Sequence, residues 1–82
     1  MSMRTIFLEA LVEYTTNFEV VHDAADMILA FVPFSRNTPY DFMPGDIDDL
    51  HYYIADKVGI FYSVYDVVLE ELSDGVHIGI DY

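Results

Sequence analysis

Three histidines, His22, His51 and His77, and fifteen carboxylates are the groups in this 82-residue chain that could move a proton or hold a cation. Catalysis needs such groups at particular spacings, and those spacings are absent. No phosphate-cradling glycine loop, nucleophile elbow or HExxH pair occurs. Gly75 and Gly79 flank a turn and an alternating stretch instead. The chain has no cysteine, which removes thiol catalysis, cysteine-zinc sites and disulfides. Asp46-x-Asp48 has the opening spacing of a calcium loop, but Leu50 stands at its fifth place and no glycine follows. His22 and Asp26, at i and i+4 of a helix, could share a divalent ion, yet two ligands do not complete a site. A chain this small also has little room for a deep pocket. The expectation is a protein that is not an enzyme and holds neither metal nor cofactor.

The carboxylates then need another explanation. They face only Arg4, Arg36 and Lys57, giving a net charge of −12, so at least twelve acids lie beyond one-to-one pairing. A field of that sign attracts basic surfaces and repels nucleic acid and anionic lipid. Glu19, Asp23 and Asp26 stand at i, i+4 and i+7, one stripe of a helix if their segment is helical. Glu9/Glu13, Glu19/Asp23 and Asp66/Glu70 are like-charge i, i+4 pairs, each costing about 0.2–0.5 kcal/mol where a lysine would gain as much. Any one such pair is accounted for as a solvated face that keeps a hydrophobic chain in solution. Three together suggest a surface built for a basic partner. Asp46 reads as a helix cap, while Asp48 and Asp49 suit either the helix dipole or a partner. Tyr52 and Asp56 complete the candidates, because tyrosine beside acid is a common interface composition.

These residues need a scaffold, and 54% hydrophobic residues with 16% aromatics are enough to build one folded unit over 1–82. Apolar spacing predicts a first helix from Ser2 to Tyr14, with a strand as its rival. Asn17 would cap a second helix, Phe18 to about Phe31, with Val20, Ala24, Ile28 and Leu29 inward and Pro33 ending it. Phe34 to Gly45 reads as an ordered loop whose rings plug the core. A third helix spans about Ile47 to Lys57, with Leu50 and Ile54 inward and Gly59 as its stop. Ile60 to Leu72 continues the helical pattern, although its β-branched and aromatic content also suits a strand. Ser73-Asp74-Gly75 is a turn, and Val76 to Tyr82 alternates with period two, which is a strand. Three partners are open to that strand: Thr5–Tyr14, a hairpin with Ile60–Leu69, or the same strand of another copy. The expected fold is mainly α within the α+β class, three to four helices with one short C-terminal strand.

Glu9 interrupts any apolar signal region, and the apolar run Met27–Phe34 is too short for a bilayer, so a soluble cytoplasmic protein is expected. The functional expectation is an acidic binding protein that occupies a basic, nucleic-acid-binding surface of a partner protein. Small size, absence of cysteine and extreme acidity are shared with phage-encoded inhibitors of host nuclease defences, such as anti-restriction and anti-CRISPR proteins. The similarity is one of composition, and no motif carries it further. The alternative is a homo-oligomeric assembly or regulatory subunit, joined through apolar and aromatic surface, in which the charge serves solubility.

Overall fold

A computed structural model describes residues 2–35, 42–59 and 67–81. Along them run α1 (Met3–Tyr14), β1 (Glu19–Asp23), β2 (Met27–Pro33), α2 (Ile47–Val58), β3 (Val67–Glu71) and β4 (Gly75–Asp81), with a 3-10 turn at Pro44–Asp46 leading into α2. The strands form one antiparallel sheet in the order β1-β2-β4-β3. Ile28, Ala30, Val32, Val76, Ile78 and Ile80 project from one face of it into a core shared with Phe7, Leu11, Leu50, Ile54 and Val58 of the helices. This is an α+β fold of two helices on a four-stranded sheet. The expected set of three to four helices with a single strand is wrong.

The error lies in two segments. The predicted helix from Phe18 to Phe31 is the β1–β2 hairpin, turned at Asp23–Met27, where the Ala24 N–H donates to the Met27 carbonyl at 2.9 Å. Met27 to Val32 is apolar at every position, so its pattern fits a period of 3.6 and a period of 2 alike. The sheet resolves it by burying Ile28, Ala30 and Val32 on the helix side. Pro33, read as a helix stop, is the last residue of β2. In the predicted fourth helix, Val67–Glu71 is a strand paired with β4, and residues 60–66 lie outside the described residues.

Other elements fall where the pattern puts them. Ser2 caps α1, its hydroxyl oxygen accepting the Thr5 N–H at 3.2 Å. In α2 the buried residues are Ile47, Leu50, Ile54 and Val58, one stripe at helical spacing. The Asp46 carboxylate accepts the Met43 N–H at 2.9 Å, so it closes the turn before α2 and makes no side-chain cap on α2 itself. The Ser73-Asp74-Gly75 turn joins β3 to β4, with the Leu72 N–H donating to the Gly75 carbonyl at 2.8 Å. Of the loop rings, Phe42 is buried, stacked on Phe34 at 5.7 Å and meeting the Tyr14 ring edge-on at 6.4 Å. Ser35 and Phe42 exchange two backbone hydrogen bonds that hold this plug in place. Tyr40 lies outside the described residues. Among the described residues no helix is long and apolar enough to cross a membrane.

Candidate partner-binding surface

The candidate acids divide between the two layers. On α2, Asp48, Tyr52 and Asp56 are all exposed at i, i+4 and i+8, a line along the outer side of the helix. Tyr52 is 69% exposed, well beyond what a ring at the edge of a core requires. Asp49 is turned toward α1, where it accepts the Tyr14 hydroxyl at 3.0 Å. In the opposite sense, Glu13 of α1 accepts the Tyr53 hydroxyl at 2.9 Å and lies 3.6 Å from the Lys57 ammonium. That ammonium sits 5.4 Å from the centre of the Tyr53 ring, and the Tyr14 and Tyr53 rings are 5.3 Å apart. The end of α1 is therefore fastened to α2 by tyrosine–carboxylate bonds running both ways. Partial burial, then the Asp49 acceptor, push the Tyr14 hydroxyl pKa far up. The Glu13 acceptor raises the Tyr53 hydroxyl pKa as well. Both hydroxyls stay protonated and act as donors.

Glu9, Val12 and Glu13 are exposed on α1, and with Leu8 they line a shallow depression on that helix. Val12 is 52% exposed. The helix layer thus exposes Glu9, Val12 and Glu13 on α1 and Asp48, Tyr52 and Asp56 on α2, with Arg4 and Lys57 as its described bases.

The Glu19–Asp23–Asp26 stripe does not exist, because its segment is a strand and a turn. β1 carries a bulge between Val20 and His22, so Val21 is an extra residue in the ladder. An unbroken strand would put Glu19, Val21 and Asp23 on one face. The bulge reverses the parity after it. Glu19 and His22 therefore face away from the helices, and Asp23 turns toward α1. There the Arg4 guanidinium grips it with Nε at 3.0 and 2.9 Å and Nη2 at 2.6 Å. This bond holds the Asp23 carboxyl below the usual carboxylate range. Asp26 is exposed in the β1–β2 turn. Three acids read as one surface are thus an outward residue, an ion-paired residue and a turn residue.

Among the described residues no group of three or more His, Asp or Glu is placed to hold a metal ion. The His22–Asp26 spacing loses its meaning with the helix. His51 lies part-buried on α2, its Nε2 buried and without a hydrogen-bond partner. The helix seam escaped the sequence reading, since Tyr14 and Tyr53 look like core residues when only their rings are counted. Glu13 stands forty residues from Tyr53, so their contact leaves no trace in linear spacing. No family model matches the chain, and neither a curated protein nor a solved structure matches it.

Proposed function

We propose that this protein is a non-enzymatic acidic binding protein whose helix layer occupies a basic, nucleic-acid-binding surface of a partner protein, in the manner of a nucleic-acid mimic. The observation that supports it is the exposed Asp48–Tyr52–Asp56 line on a rigid helix. Its two carboxylates are set about 12 Å apart along the axis. Glu9 and Glu13 extend the negative field across the neighbouring helix, and Tyr52 adds apolar area with a polar tip. Two of the three bases in the chain, Arg4 and Lys57, already face carboxylates, which leaves this acid for an external cation.

The alternative, a homo-oligomer joined through its C-terminal strand, loses that route. β4 is an inner strand with β2 on one side and β3 on the other, so a second copy has no free ladder to extend there.

The test is capture of proteins from a lysate at about 0.05 M and about 0.5 M salt, with duplex DNA as competitor. Nucleic-acid-binding proteins released by salt and by DNA are the expected catch. The variant Asp48→Asn/Tyr52→Ala/Asp56→Asn should associate roughly tenfold more slowly while keeping its Tm. Salt-insensitive capture, or unchanged association in that variant, overturns the proposal.

A further inference from the structure

The sheet has a second face, turned away from both helices. The pairing register sets its residues in rows that cross all four strands. One row is Glu19–Phe31–His77–Glu70, and the next is His22–Leu29–Gly79–Val68. Phe31, Leu29 and Val68 take no part in the core cluster beneath the helices. Two glycines shape this face. A Cβ at Gly75 would lie 2.8 Å from the Phe31 ring, and one at Gly79 would lie 2.9 Å from Leu29 Cδ1. Phe31 and Leu29 therefore lie flat across β4 in the space a side chain would fill. Phe31 and His77 meet edge to face with centroids 5.7 Å apart. Glu19 and Glu70 are exposed at the two ends of the row, and the four strands contain neither Lys nor Arg.

We propose that this row is a docking site for an arginine side chain of a partner peptide, with the guanidinium stacked on the Phe31 ring, beside which His77 stands near-perpendicular, and hydrogen-bonded to Glu19 or Glu70. Side chains directly opposed on neighbouring strands stand about 5 Å apart, so a guanidinium over Phe31 lies within reach of the Glu19 carboxylate. A planar, weakly hydrated cation matches a flat ring flanked by a carboxylate, and an ammonium matches it less well.

A second copy of the chain fits this face poorly. Four strands about 4.8 Å apart and about five residues long cover roughly 300 Å². A stable interface takes about 800 Å² from each partner. Self-pairing would also set two chains of net charge −12 against each other. The site is on the opposite side of the molecule from α2 and does not rest on the reading of the helix layer.

The test titrates the full chain with a short arginine peptide and with a lysine peptide of equal length, followed by NMR. Arginine should shift the resonances of Phe31, His77 and Gly79 and bind roughly fivefold more tightly than lysine. Glu19→Gln/Glu70→Gln should weaken both peptides, and Phe31→Leu, with its Tm recorded, should remove the preference for arginine. Asp48→Asn/Asp56→Asn should leave these shifts unchanged, which separates this site from the helix layer. Shifts confined to α2, equal affinity for the two peptides, a Phe31→Leu variant that keeps the preference, or dimerisation through this face in sedimentation would each overturn the proposal.

Discussion

Gly79→Ala offers the sharpest test of the sheet geometry. At an ordinary sheet position this change removes unfolded-state freedom and stabilises by about 0.4–1 kcal/mol. Gly79 is buried in the centre of β4, opposite Leu29 on β2 and Val68 on β3. An added Cβ there would overlap the Ile28 backbone carbonyl and would lie 2.9 Å from Leu29 Cδ1 and 3.1 Å from Leu29 Cα. The leucine tip can swing aside, but the carbonyl and the Cα belong to the neighbouring strand. Relief requires β2 and β4 to separate, and these two strands carry six of the residues buried in the core. Overpacking of this kind costs about 1–3 kcal/mol. Set against the entropic gain, the net loss is about 1.3 kcal/mol, or roughly 5–10 °C in Tm for a domain of this size. Differential scanning calorimetry beside Gly45→Ala supplies the control, since nothing lies within 4 Å of a Cβ at Gly45. Gly45→Ala should stay within about 0.5 kcal/mol of the parent. A Gly79→Ala protein as stable as its parent, or more so, refutes the register and the close approach of β2 to β4.

Four further outcomes follow from the geometry. Tyr14 titrates well above its ordinary 10.0 in the folded state, so its contribution to stability is complete below about pH 10 and fades as pH rises beyond it; absorbance titration should show a late tyrosine step that Tyr14→Phe removes. Phe42→Ala, which empties a 5%-exposed site between Phe34 and Tyr14, should cost about 3 kcal/mol in denaturant unfolding. Ser2→Ala removes the bond to the Thr5 N–H and should cost about 1 kcal/mol, seen as faster amide exchange in the first turn of α1. With fifteen acids against three bases, the Tm should rise steadily as NaCl increases from about 0.01 M to about 0.5 M, whereas a flat profile would mean that repulsion does not strain the fold.

The second helix and the last strand were legible because each carries a pattern with one solution, whereas the residues of α1 fit a helix with a strand as rival. Ile47, Leu50, Ile54 and Val58 form a stripe only on a helix, and Val76, Ile78 and Ile80 separated by His77 and Gly79 line one face only of a strand. β2 was illegible for the converse reason. Its side chains are apolar on both faces, Ile28, Ala30 and Val32 toward the core and Met27, Leu29 and Phe31 toward the face away from the helices, so the alternation that marks a strand is erased. β1 was hidden by its bulge, since one inserted residue breaks period two within a five-residue strand. Its misreading as a helix then created the false Glu19–Asp23–Asp26 stripe.

That stripe shows how far total charge can guide a search for a site. A net charge of −12 sets the sign of the field around the protein but singles out no place on its surface. Among the described residues every acid is exposed apart from Asp46, so exposure alone selects nothing. Local geometry does select. Asp23 is occupied by Arg4, Asp49 receives Tyr14, and Glu13 receives Tyr53 and faces Lys57. Those acids already have partners within the chain, although each contact is solvent-exposed. Asp48 and Asp56 beside Tyr52, and Glu19 and Glu70 at the ends of the Phe31–His77 row, are acids set next to exposed or flattened rings. An acid beside an aromatic surface can both attract a cation and share its desolvated contact. On that ground the two surfaces worth mutating separately are the outer line of α2 and the sheet face away from the helices.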